Sequence, residues 1–212
     1  MRKACLMLIL ILSVSGWFAC NTGGEAGKAE GTQTEASSET VTLAMAEVQE
    51  LKARLDAAET PEDQDAAMNE LSSKLQELLE LDPNNEMGNA MMDDVQLYYA
   101  EQWAKQGKYT KAIEIVDNVL AFSPDNANAQ EKKAQYENWQ YITREEFDQI
   151  KKNMYMDEVT QLVGYPMRKT EDVDKYKRPV YGWIYKEPEL QQAVTIWFNE
   201  NGQVYSTSWP KK

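Results

Sequence analysis

Two proline-centred stops, Leu81-Asp82-Pro83-Asn84-Asn85 and Ser123-Pro124-Asp125-Asn126, divide the middle of the chain into segments too regular to be anything but helices. Between and around them, apolar residues recur every three to four positions, the period of a helix buried along one side. Val48, Leu51 and Leu55 predict a first helix over about 42–58. Thr60-Pro61-Glu62-Asp63 then opens a second, with a capping Thr, Pro at the first helical position and acids in the first turn. Its stripe is Met68, Leu71, Leu75, Leu78 and Leu79. Met91, Val95, Tyr99 and Trp103 mark a third helix over about 85–105, which Gly107 breaks. Ala112, Ile113, Val116, Val119 and Leu120 mark a fourth, and a fifth spans about 126–140.

The segment 106–126, QGKYTKAIEIVDNVLAFSPDN, resembles the second half of a tetratricopeptide repeat at Gly107, Tyr109, Ala112, Ile113, Leu120, Phe122, Pro124 and Asn126. Upstream, Ala100 and Trp103 fit the small and aromatic positions of that repeat's first helix. The stretch ending at Asn85 looks like the close of a preceding, degenerate repeat. Pro83 and Pro124 are 41 residues apart, against the 34 of the family. A generic helical bundle is the other reading. Either arrangement stacks helical pairs into grooves suited to peptides or partner proteins.

The pattern changes after residue 141. Thr143-Arg144-Glu145-Glu146 is a capping box ahead of a short helix with Phe147 and Ile150 inward. Val159, Leu162 and Val163 make a second short stripe, stopped by Gly164 and Pro166. TEDVDKYK reads as a charged loop, followed by strands at about 179–186, 192–199 and 203–209. A three-residue turn ending at Gly202 pairs Phe198 with Val204 on the core side and leaves Trp197 and Tyr205 on the opposite face. The expected class is therefore α+β, with helical hairpins followed by two helices and a three-stranded antiparallel sheet.

This helix, helix, three-strand order resembles the outer-membrane assembly lipoproteins of the BamE (SmpA/OmlA) family. The residues that carry the likeness are Asn153-Met154-Tyr155, Val159, Val163-Gly164-Tyr165-Pro166, Tyr181 to Tyr185, and Phe198, Gly202 and Val204. Asn153 stands for the family's Gly, a substitution that a left-handed backbone tolerates. Tyr155 stands for its Thr, weakening the second helix cap by about 1 kcal/mol. The same architecture occurs in secreted inhibitors of β-lactamase, so fold alone does not settle the role.

The front of the chain sets an expected location. Arg2 and Lys3 precede an apolar run from Leu6 that ends at Phe18, too short for a comfortable membrane span of about 20 residues. Ala19 then meets Cys20, an order that resembles a bacterial lipoprotein signal, although Trp17 and Phe18 stand where that family has Leu and a small residue; a retained signal anchor or an ordinary cleaved signal are the other readings. The resemblance implies that Cys20 becomes the N-terminus and carries acyl chains on its sulfur and amine. Residue 21 is Asn rather than Asp, which by the same resemblance sends the protein to an outer membrane, facing the periplasm. Residues 21–42, rich in Gly, Ser, Thr and Glu, read as a flexible leash of roughly 25 Å. The expected division is a signal over 1–19, lipidated Cys20 and linker over 20–42, helices over 43–141 and an α/β module over 142–212.

Composition narrows the function. With 22 Lys and Arg against 35 Asp and Glu, the formal charge of −13 repels phosphate backbones, so nucleic acid is not an expected partner. There is no histidine, and only Cys5 and Cys20, which removes triads, Cys-His pairs and His-based zinc sites. No enzyme activity, metal or cofactor is expected. Carboxylate chemistry is the remaining catalytic alternative. The candidate partner-binding residues are Trp183, Trp197, Tyr205 and Trp209, because exposed Trp and Tyr anchor protein interfaces. Packing within the module or against the helices is the alternative use of these rings. Expected partners are the membrane, through the lipid anchor, and envelope proteins or peptides. The reading is a non-catalytic adaptor in outer-membrane assembly or maintenance; its rival is an inhibitor that plugs a secreted hydrolase with the aromatic sheet face.

Overall fold

The computed structural model describes residues 32–210. The expected signal, Cys20 and the first part of the leash lie outside the described residues. The architecture is α+β. Helices α1 (Thr32–Asp56), α2 (Pro61–Leu81), α3 (Glu86–Lys105), α4 (Tyr109–Phe122) and α5 (Ala127–Trp139) form an array in which each packs on its chain neighbour. Helices α6 (Arg144–Gln149) and α7 (Met156–Val163) then lead into one antiparallel sheet. Its strands are β1 (Arg168–Val173), β2 (Pro179–Lys186), β3 (Ala193–Phe198) and β4 (Val204–Ser208), in the order β1-β2-β3-β4.

Two sequence expectations are corrected here. Residues 32–42 belong to α1 rather than to the leash. No Gly or Pro interrupts Thr32 to Asp56, and Val41 and Met45 extend the Val48 stripe by two turns against α2. The segment read as a charged loop begins inside a fourth strand, since Thr170 to Val173 are part of β1. That strand is exposed along nearly its whole length, so it lacks the alternation that reveals a half-buried strand.

The helical array repeats its own turns. Asp82 N–H donates to Leu78 O and Ser123 N–H to Val119 O. The Asn85 side chain accepts from Gly88 N at 2.9 Å, as the Asn126 side chain does from Ala129 N at 3.1 Å. Asn89 and Gln130 return side-chain amides to Pro83 O and Pro124 O. Every one of these pairs is offset by the same 41 residues that separate the prolines. The buried stripe follows suit, with Leu71, Leu75 and Leu78 in α2 matching Ala112, Val116 and Val119 in α4. Burying each leucine contributes about 1.5–3 kcal/mol, so the stripe, more than helix propensity, holds the array together.

In the C-terminal part, α6 and α7 cover one face of the sheet. Phe147, Ile150, Val159 and Val163 meet Trp183, Tyr185, Val194, Ile196, Phe198 and Val204. The Thr143 box forms, with Thr143 N–H donating to Glu146 at 2.8 Å and Glu146 N–H to the Thr143 hydroxyl at 3.3 Å. Tyr155 supplies no such acceptor, and only the Glu158 carboxylate reaches back to its N–H, at 2.7 Å. Asn153 takes the left-handed backbone, at φ 71°, and its N–H donates to Val204 O at 2.8 Å. Phe198 pairs with Val204 across a turn closed by Asn199 N–H on Gln203 O at 2.8 Å, the register expected from Gly202.

Candidate functional site: an aromatic and cationic cleft at the junction

The helical array meets the sheet through two tyrosines and two glycines. Tyr109, at the start of α4, is buried and reaches the loop after α7. Its hydroxyl donates to Tyr165 O at 3.1 Å and accepts from Tyr165 N at 2.5 Å. From the sheet, the Tyr185 hydroxyl donates to Gly164 O at 3.1 Å. Burial pushes both phenols well above their ordinary value of 10. Gly164, at φ 74°, lies so close to Tyr109 and Trp139 that an added Cβ would overlap the hydroxyl of one and the ring of the other. Gly107, at φ 69°, packs in the same way on the Pro166 carbonyl. Both glycines supply the positive φ and the close approach that other residues resist.

A cleft of about 310 Å³ opens along this junction. Five aromatic residues line it: Tyr109, Trp139, Tyr141, Tyr165 and Tyr185. Its charged side chains are Lys108, Lys111 and Lys186, with no carboxylate among the lining residues. None of the three lysines has an ion-pair partner among the described residues. Lys108 and Lys111 hold their ammonium groups 4.5 and 4.6 Å from the centre of the Trp103 ring. Such placement steadies a cation without neutralising it. In a chain of net charge −13, these three lysines make the junction locally cationic.

A second cavity, about 510 Å³, opens beside the β2–β3 connection and is lined by Thr143, Arg144, Glu187, Leu190, Trp209 and Pro210 among others. Glu187 is buried there, and its carboxylate accepts the N–H groups of Glu189, Leu190 and Gln192 at 2.7, 2.7 and 3.0 Å. It thereby shapes the connection itself.

The four aromatic candidates do not converge. Trp183 is in the core, 6% exposed and 4.7 Å from Phe198 between ring centres, which removes it from any docking surface. Trp209 is half-buried on the helical side, 5.1 Å from Phe147, with Arg144 over its ring. Trp197 is on the open face of the sheet, opposite Gly182, and its six-membered ring lies against that glycine. Tyr205, at the β-bulge between β3 and β4, is exposed and borders a small recess with Val180 and Arg178. Cys20 lies outside the described residues.

The sequence marks Gly107, Tyr109, Gly164, Tyr165 and Tyr185 as motif positions but gives no sign that they meet. The one signal was Lys108 and Lys111, one helical turn apart beside Trp103 and Tyr109 in an otherwise acidic chain. Their meeting with Tyr165 and Lys186 depends on packing that no local pattern encodes. Among the described residues no group of three or more acidic or cysteine side chains is placed to share a metal ion. No helix among them is long and apolar enough to cross a membrane. No protein-family model, curated protein or solved structure matches this chain.

Proposed function

We propose that this protein is a non-catalytic binding protein, held at a membrane surface by acyl chains on Cys20, that captures an acidic, aromatic-bearing segment of another envelope protein. The observation that carries the reading is the junction cleft: five aromatic residues and three unneutralised lysines without a lining carboxylate. An acidic segment gains attraction there that the rest of the surface denies it, and rings on that segment find aromatic walls. Acylation would confine the protein to a membrane and raise its effective concentration toward membrane-bound partners.

The recurring turns of α2–α5 support reading the array as tetratricopeptide-like hairpins with a stretched repeat. The helix, helix, sheet order and the Phe198–Val204 register support reading residues 142–212 as a BamE-like module with an added edge strand. On these readings the protein is an adaptor in outer-membrane assembly or maintenance, on the periplasmic side. Inhibition of a hydrolase by the open sheet face has less support, because Trp197 packs against Gly182 rather than projecting from the sheet.

The test uses the full chain in detergent and two labelled peptides, one rich in Glu and Tyr and one with Gln in place of every Glu. The acidic peptide binds, binding falls with added salt, and Lys111→Glu with Lys186→Glu abolishes it. Equal binding of both peptides, or retention by the double variant, overturns the assignment of the cleft. Crosslinking of the parent chain in intact cells, with the double variant as negative control, then identifies the partner.

A further inference from the structure

Strand β1 forms one edge of the sheet, and its sequence is complementary to itself. Met167-Arg168-Lys169-Thr170-Glu171-Asp172-Val173 reads, outward from Thr170, as a basic residue against an acidic one at each step, then one apolar residue against another. Laid antiparallel on a second copy about Thr170, Lys169 faces Glu171, Arg168 faces Asp172 and Met167 faces Val173. Met167 and Val173 are 45% and 60% exposed, with no strand beyond them in the sheet among the described residues, although the backbone of Met167 meets Gly107 between α3 and α4.

The backbone is ready for the same pairing. Asp174 N–H donates to Arg178 O at 2.9 Å and closes the β1–β2 hairpin. The antiparallel alternation then directs the amides and carbonyls of Arg168, Thr170 and Asp172 toward β2 and those of Lys169 and Glu171 outward. Val173 N–H agrees with this phase, since it donates to the neighbouring Asp172 carboxylate instead of to β2. Free edges are commonly blunted with charge, most simply charge of one sign, which repels a second copy of the same edge. Here the charges are segregated along the strand, an arrangement that rejects a uniformly charged edge and accepts its own reverse.

We infer that β1 is a self-association edge: two copies of the chain join β1 to β1 about a two-fold axis at Thr170, continuing one sheet through both. The interface is isologous, so each favourable pair occurs twice and the contact closes on itself as a dimer. The inference is independent of the junction cleft, which is lined by only one residue of the pairing segment, Met167.

The test is disulfide trapping of the purified full chain in detergent, read as a gain over the parent chain. At the centre of the pairing, the two Thr170 Cα atoms stand about 4.5 Å apart, within disulfide reach. Thr170→Cys therefore gives a linked dimer on air oxidation, whereas Arg168→Cys, about 13 Å from its symmetry mate, does not. In light scattering, Lys169→Glu weakens the dimer roughly tenfold by facing Glu171 twice, and Lys169→Glu with Glu171→Lys restores it. Trapping that fails at Thr170, trapping equal at both positions, or a charge-swapped chain that stays monomeric overturns the inference.

Discussion

The Tyr109 hydroxyl and the Tyr165 backbone, 56 residues apart in sequence, satisfy each other twice, the phenol donating to the carbonyl and accepting from the N–H. Two polar backbone groups at the junction thus depend on one side chain from the helical array. Tyr109→Phe leaves both without that partner, and a loss of about 1–3 kcal/mol is expected in urea unfolding. Tyr136 is the internal control. It is equally buried, but its hydroxyl has no hydrogen-bond partner among the described residues. Tyr136→Phe should change stability by nothing, or raise it by up to about 1 kcal/mol. Equal losses in the two variants would mean that ring packing, not hydrogen bonding, sets the value of Tyr109.

The buried phenols also set an alkaline limit. Burial raises Tyr136 to about 12 and carries Tyr109 and Tyr185 well above 10. In the unfolded chain these groups lose their protons near pH 10, while the folded chain still holds them. Their contribution is therefore complete below about pH 10 and declines as pH rises through the folded values. Urea midpoints should stay level from neutral pH to about 9 and then fall, less steeply in Tyr109→Phe. A midpoint that rose above pH 10 would contradict the assignment.

Trp197 gives a prediction about the open face. Its diagonal neighbours across the strand pair, Val180 and Ile184, are buried on the face opposite the α6–α7 core cluster. The indole lies over Gly182, between those two positions of β2. Trp197→Ala should cost roughly 2 kcal/mol by returning apolar area to water, measured as a shift in the unfolding midpoint. A loss below about 0.5 kcal/mol would reassign the ring from stability to recognition.

The anchor is tested by location. Cys20→Ser should move the protein from the membrane pellet to the soluble envelope fraction, since nothing then carries acyl chains. Tight membrane association in that variant would sink the proposal.

What was legible in the sequence follows from range. The turns at Pro83 and Pro124 were readable because their caps lie within a few residues of the stripes they end. The Phe198–Val204 pair was readable because Gly202 selects the turn and the turn selects the register. Strand β1 escaped notice because an edge exposed on most sides needs no apolar alternation. The upstream start of α1 is obscured by its Thr and Ser, which local propensity disfavours in helices, and the stripe against α2 begins only at Val41. The junction was least legible. Tyr109, Trp139, Tyr165 and Lys186 come from four separate elements or loops, and only packing brings them together.

The duplicated turns carry a mechanical implication. An array in which each helix leans chiefly on the next transmits damage no further than its neighbours. With the proposed anchor at Cys20, a pull from a membrane would reach the hairpin of α1 and α2 first while the rest holds. Helix α4 has no such freedom, since it is clasped by α3, by α5 and, through Tyr109, by the loop behind α7. Under that proposal, force from the anchor would be absorbed by the outermost pair of helices, leaving the cleft behind α4 in register.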